Sequence, residues 1–173
     1  LVRDMLRAAL TLQATQVARF EALGKRLEAL PLAQALSPAG LTSPERLKEG
    51  RAVLAQYRAL IDERKVLVTQ HGADFTAFME RVPAFMRPQA QARFEQTRKA
   101  NEELVAQLDS RQAAHADAIE AIFGWAEAQA GRIGMRGGQL LLQSEGQRAE
   151  FNGLAARLKQ AEDVVNSVLA QAA

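Results

Sequence analysis

The sequence contains no cysteine, and aromatic residues make up only 5% of its 173 residues. The absence of cysteine excludes disulfide scaffolds, thiol redox chemistry and thiolate metal sites. No apolar run approaches the roughly 20 residues that cross a bilayer, so no membrane span is predicted. The scarcity of aromatic residues means that aliphatic side chains must supply most of the hydrophobic core.

Neither positive nor negative charge predominates in the sequence. The formal net charge is +2 at pH 7, although the pI is about 9.3, and basic and acidic residues alternate along the chain. A nucleic-acid-binding protein needs a basic stripe, so no nucleic-acid partner is expected. The sequence contains neither the G-x-S-x-G motif nor the H-E-x-x-H motif, and we therefore predict no enzyme activity, no catalytic residue and no cofactor.

Strong helix formers dominate the composition, and helix start and stop signals divide the chain. Pro31 ends the first helix, and residues 31–43 are predicted to be a connection. Ser43 and Pro44 suit the N-cap and the first position of the second helix. The four helices are predicted over residues of about 2–30, 44–82, 88–130 and 145–172.

The apolar residues of these helices predict how they pack. In the second and third helices they recur at alternating spacings of three and four, which is a heptad seam. In the first helix the predicted core stripe is Val2, Leu6, Ala9, Val17, Phe20, Leu27 and Leu30. Together the seams predict an all-α fold: one domain, residues 1–173, forming a long antiparallel four-helix bundle.

One segment, "GRIGMRGGQLLL" at 131–142, departs from the helical pattern. Gly137 and Gly138 suit a two-residue hairpin turn, which needs positive φ. That turn would pair Ile133 with Leu142 and Met135 with Leu140, and it would leave Leu141 facing outward. A β-hairpin over about 132–142 is therefore predicted between the third and fourth helices.

This hairpin is predicted to lie across one end of the bundle, with its apolar face near Trp125 and Phe151. A two-stranded sheet has unpaired backbone groups on both outer edges, and such an edge can accept a strand from a partner. Arg132, Arg136 and Leu141 are therefore candidate interaction residues.

Polar side chains interrupt the seams of the second and third helices at Arg64, His71, Asn101, Arg111 and His115. Antiparallel pairing predicts that His71 lies near Asn101 and that His115 lies near Tyr57. One interpretation is that these residues form polar layers that fix the register of the helices. A second is that the arginines extend to water, and a third is a mid-bundle ligand or anion site. No E-x-x-H spacing occurs, so no metal site is predicted.

The segment after the hairpin contains a motif that is similar to one in a known protein family. Gln147, Glu150, Phe151, Asn152 and Leu154 form Q-x-x-E-F-N-x-L. Further upstream, the residues that carry the resemblance are Leu41, Thr42, Gly50 and Tyr57. This combination resembles the YiaF-like family of uncharacterised bacterial envelope lipoproteins. The resemblance implies a helical fold and an envelope location, and it implies no catalytic residue.

The chain begins at Leu1 directly on a helical pattern, so we expect an upstream segment such as a signal peptide or a lipid-anchor leader. The predicted function is a non-enzymatic structural or interaction protein of the periplasm or cell envelope. A ligand-binding or sensory bundle that uses the polar seam residues is the alternative, and a cytoplasmic helical adaptor is a third. The expected partner is an unidentified protein, and membrane association would come only through an upstream lipid anchor.

Overall fold

The computed structural model describes residues 2–172, which are mostly helical with one small antiparallel sheet. The coarse prediction of a helical chain with a hairpin before its last helix is confirmed. The elements in chain order are α1 (Val2–Glu28), α2 (Leu32–Ala35), α3 (Pro38–Thr42), α4 (Pro44–Glu80), α5 (Arg87–Ala128), β1 (Ile133–Arg136), β2 (Gln139–Leu142) and α6 (Glu145–Ala172).

The described residues form two compact units. The α1 unit contains residues up to 29 together with 60–106, and the hairpin unit contains 30–59 together with residues from 107 onward. Among the described residues, each unit contains segments of three long helices. The four-helix arrangement and the single domain therefore stay predictions.

The core of the hairpin unit is centred on Phe123, which is fully buried. A Cβ atom built at Gly50 of α4 would lie 3.0 Å from the Phe123 ring and 3.3 Å from the Cβ of Ala35 in α2. Glycine at this position therefore lets α4, α5 and α2 meet closely. The other buried apolar residues of this unit include Leu41, Leu47, Leu54, Tyr57, Ala116, Ile119, Ile122, Ala126, Val165 and Val168.

The seam predicted for α4 is confirmed where it is most regular, because every seam position from Leu47 to Arg64 is buried. The seam predicted for α5 is wrong in three places, since Thr97, Asn101 and Arg111 are exposed. Gln112 is buried instead of Arg111. A shift of one residue moves a helical side chain by about 100°, so a difference in the rotation of α5 exchanges Gln112 for Arg111 on the buried face.

The core stripe predicted for the first half of α1 is also wrong. Val2 and Leu6 are 64% and 62% exposed, and Val17 is exposed as well. Gln16 and Leu23 are the buried residues of α1, whereas Met5 and Leu12 are half-buried. Apolar residues cover so wide an arc of this helix that periodicity alone does not select the face that packs.

Helix ends and the connection also differ from the prediction. The first and second long helices end at Glu28 and Glu80, two residues early, because the residue before a proline avoids the helical region and Pro31 and Pro83 follow. The third helix covers 87–128 instead of 88–130. The predicted connection contains two short helices, and Ser37 caps the second of them by accepting a hydrogen bond from the Gly40 N–H at 3.1 Å.

We predict that Gly40→Ala lowers the free energy of unfolding by about 1–3 kcal/mol, the usual cost of overpacking. A Cβ at Gly40 would collide with the Ala35 carbonyl oxygen and lie 2.8 Å from that of Gln34, and neither backbone atom can rotate away. The control is Gly24→Ala, where a Cβ meets nothing within 4 Å, so a gain of about 0.5–1 kcal/mol is expected. Urea unfolding measures both, and equal stability of the two variants would contradict the packing described for α3.

Candidate functional site

The hairpin forms in the register that the sequence predicted. Ile133 pairs with Leu142, Gly134 with Leu141, Met135 with Leu140, and Arg136 with Gln139. Gly137 and Gly138 have φ angles of 60° and 76°, as a two-residue turn with two left-handed positions requires. The turn therefore fixes which side chains share a face.

The two faces of the hairpin have different surroundings. On one face, Ile133, Leu140 and Leu142 are half-buried, whereas Met135 near the turn is 49% exposed. On the other face, Leu141 is also 49% exposed and lies opposite Gly134. The face that carries Leu141 is therefore open to solvent.

The inner face packs mainly on α3, which lies within the segment predicted to be a connection. Both strands contact α3, and β2 also contacts α6. The side chain of Ile133 lines a cavity of about 340 Å³ together with Leu41, Leu47 and Ala126. Trp125 and Phe151, the neighbours predicted for this face, pack on each other with ring centroids 5.3 Å apart.

Gln147 joins the two ends of the hairpin to the helices around it. Its Oε1 accepts a hydrogen bond from the Gln143 N–H at 2.7 Å, and its Nε2 donates to the Gln129 side chain at 2.8 Å and to the Arg132 carbonyl at 3.3 Å. Its own N–H donates to the Ser144 Oγ at 3.1 Å. Ser144 and Gln147 have the S-x-x-Q spacing of a capping box, but only the serine half forms, because the glutamine side chain bonds the base of the hairpin instead.

The outer edges of the hairpin offer backbone groups for pairing. In a hairpin with this turn, alternate residues point N–H and C=O away from the partner strand; here those are Ile133 and Met135 in β1 and Leu140 and Leu142 in β2. Within residues 2–172, no backbone hydrogen bond from outside the ladder reaches these four residues. On the outer edge of β1, the backbone groups of Ile133 and Met135 therefore have no backbone partner within the described part of the chain.

Two cations flank this edge. Arg132 and Arg136 are exposed, and they are the only charged residues between Glu127 and Glu145. Neither forms an ion pair with any residue of the described chain, whereas Arg51 and Arg58 of the same unit pair with Glu127 and with Asp117 and Glu120. The hairpin is therefore a locally positive surface.

His115 lies beside Tyr57, as the antiparallel pairing of α4 and α5 predicted. The Tyr57 hydroxyl and the His115 Nδ1 are 3.0 Å apart, and Tyr57 is buried. Burial lowers the pKa of His115 below its ordinary value of 6.5, and the nearby Glu162 carboxylate partly opposes that shift. The neutral His115 imidazole and the Tyr57 phenol therefore form a structural polar layer within the hairpin unit.

The polar layer predicted for His71 and Asn101 is wrong. Asn101 is exposed, and the His71 ring packs against Phe94 with a centroid distance of 5.7 Å. The His71 Nδ1 is buried and has no hydrogen-bond partner among the described residues. Burial lowers the pKa of His71, and Asp74 acts in the opposite direction. Phe94 of α5 thus occupies the position beside His71 that was predicted for Asn101.

The two seam arginines have different environments. Arg64 in the α1 unit is only 5% exposed, so it does not extend to water. Arg111 in the hairpin unit is exposed and lines an open groove of about 620 Å³ with Lys159, Asp163 and Val168. Across residues 2–172, no three histidine or carboxylate side chains come together as a metal site.

Comparisons were made with family models, curated proteins and solved structures, and none of them matches this chain. None of the described helices has a stretch that is both long and apolar enough to cross a membrane.

We predict that the free energy of unfolding falls as the pH is lowered from about 7 to 5. His71 and His115 have lowered pKa values in the folded chain, so the unfolded chain binds more protons below pH 6.5. The stability is therefore fully present above pH 6.5 and is lost as the pH falls towards the folded-state pKa values.

The measurement is urea unfolding at several pH values. The double variant His71→Phe, His115→Gln should lose most of the slope in this window, because Asp74 and Glu127 have lowered carboxyl pKa values and titrate at more acidic pH. A slope that is unchanged in the double variant would show that other groups carry the pH dependence.

A pair of lysine substitutions tests the hairpin faces. Leu141→Lys should change the free energy of unfolding by less than about 0.5 kcal/mol, because an exposed position away from special features tolerates substitution. Leu142→Lys should cost clearly more, since its side chain is half-buried on the inner face. Thermal unfolding of both variants decides the matter, and a larger loss for Leu141→Lys would mean that the faces are reversed.

Proposed function

We propose that this protein is a non-enzymatic interaction protein whose hairpin binds an extended segment of a partner protein. The observation that supports this proposal is the outer edge of β1, where Ile133 and Met135 have no backbone partner among the described residues and exposed apolar side chains lie nearby. Met135 in β1 and Leu141 in β2 are the exposed apolar residues, and each is 49% exposed.

An isolated two-stranded hairpin is only marginally stable in water. Here α3, α6 and the hydrogen bonds of Gln147 support it. A strand edge that is already ordered loses little conformational entropy when a partner binds, so backbone hydrogen bonds to the partner contribute more of their strength to affinity. Addition of a strand to a sheet edge is a common way to recognise extended peptides.

The proposal includes a location in the bacterial cell envelope or periplasm. Its support is the resemblance of residues 41–57 and 131–154 to the YiaF-like lipoproteins. The antiparallel four-helix arrangement belongs to the same proposal, and its support is the alternating spacing of the α4 seam together with the burial of that seam.

The ligand-binding alternative has weaker support. Asn101 is exposed, and His115 already lies at hydrogen-bond distance from Tyr57. The groove beside Arg111 is wide and open, whereas small-molecule sites are concave and enclose most of their ligand. The hairpin therefore fits a binding function better than the polar seam residues do.

The test is selection of extended peptides from a displayed library against the full chain, followed by fluorescence anisotropy. We expect selected peptides to bind wild-type protein and to slow hydrogen exchange of the Met135 amide, which lies on the outer edge of β1. Met135→Pro removes that N–H without breaking a ladder hydrogen bond, so it should abolish binding.

The matched control is Met135→Ala, which keeps the backbone donor and should retain most of the binding. Circular dichroism and thermal unfolding must show that both variants remain folded. If no peptide is selected, or if protection maps to the groove beside Arg111, the proposal is wrong.

A further inference from the structure

Gly134 in the middle of β1 is a glycine that the fold does not require. Gly131, Gly137 and Gly138 have positive φ, and Gly134 does not. A Cβ atom built at Gly134 would meet nothing within 4 Å. Glycine weakens a strand, and in strand interiors it often marks a place where another backbone or a ligand approaches closely.

The surroundings of Gly134 show which face such an approach would use. Gly134 pairs with Leu141, and the two residues share the solvent-facing side of the hairpin. The missing side chain leaves a hollow over β1 that is bordered by the exposed Leu141. An apolar side chain from an adjacent strand would lie directly beside Gly134, where cross-strand neighbours have Cβ atoms about 5 Å apart.

A cation lies on each side of Gly134 in the sequence. Arg136 ends β1 two residues after Gly134, about 6.6 Å along the strand, and alternation places it on the same face as Gly134. Arg132 lies two residues before Gly134, in the turn that leads into β1, and is exposed. Neither arginine has an ion-pair partner among residues 2–172.

We infer that β1 binds an extended segment with the pattern acid-x-apolar-x-acid, in which the apolar side chain fills the hollow over Gly134 and the acids pair with Arg132 and Arg136. This inference rests on the proposed function of the hairpin. A second copy of the chain does not fit the site, because antiparallel pairing of two β1 strands about Gly134 would place Arg132 opposite Arg136 of the other copy. Like charges directly opposite one another are destabilising.

The experiment uses the full chain and three labelled peptides that share flanking residues. Their central sequences are Glu-Val-Leu-Val-Glu, Gln-Val-Leu-Val-Gln and Lys-Val-Leu-Val-Lys. Fluorescence anisotropy at low salt should show the tightest binding for the glutamate peptide and the weakest for the lysine peptide. The difference should shrink in 0.5 M salt, because screening weakens exposed ion pairs.

Three variants test which residues cause the preference for the glutamate peptide. Arg132→Gln and Arg136→Gln should each weaken binding of the glutamate peptide about two- to fivefold and leave binding of the glutamine peptide unchanged, as expected for exposed ion pairs. Gly134→Val should weaken binding of both peptides at least tenfold by filling the hollow, although valine favours strand structure. The matched control is Gln139→Val, which adds the same side chain to the same face of β2 and should bind normally.

The outcomes separate this inference from the proposed function. If the three peptides bind equally, or if Gly134→Val binds like wild type, the inference is wrong; loss of binding in Met135→Pro would then still support strand addition at β1. If no peptide of any charge binds, both proposals are wrong. Thermal unfolding of Gly134→Val controls for misfolding, and a variant at least as stable as wild type is expected.

Discussion

The close approach of Gly50 to Phe123 is the constraint on which the hairpin unit depends. Any side chain at position 50 would press on the Phe123 ring and on Ala35. Since Ala35 belongs to α2, the contact that joins α4 to α5 also holds the segment leading into α3. That segment matters for the position of the hairpin because both strands contact α3. The surface position of the hairpin is thus determined by a contact in the core.

Gln147 makes the second essential set of contacts, at the surface. One side chain bonds the Gln129 side chain, the Arg132 carbonyl and the Gln143 N–H, while its backbone N–H is capped by Ser144. These bonds close the hairpin at its base, and the turn at Gly137 and Gly138 closes it at its tip. A short sheet held at both ends can keep an open edge and exposed apolar side chains without depending on a partner for its own order.

Predictions of structure from the sequence were most accurate where a local signal, such as a turn, agreed with a longer periodic pattern of side chains. Two adjacent glycines fixed the turn, and the alternation of side chains then fixed the hairpin register. In α4, every position of the regular seam from Leu47 to Arg64 is buried, although Leu60 beside the seam is buried as well. The short helix α3 was missed although Ser37 and Pro38 repeat the signal that Ser43 and Pro44 provide for α4. The cap at Ser37 was visible in the sequence, but a five-residue helix has too few residues to show a periodic pattern.

Sequence patterns alone predicted the helical class and the position and register of the hairpin, and the sequence itself shows the arginines on either side of Gly134. These features depend on backbone preferences and on neighbours close along the chain. The tertiary structure decided which face of α1 is buried, that Phe94 and not Asn101 meets His71, and that the hairpin rests on α3. Each of those outcomes depends on helix rotation and on packing between distant segments, where a shift of one residue turns a side chain by about 100°. Periodicity limits which helix face can be buried, and close packing of side chains selects the face that is buried.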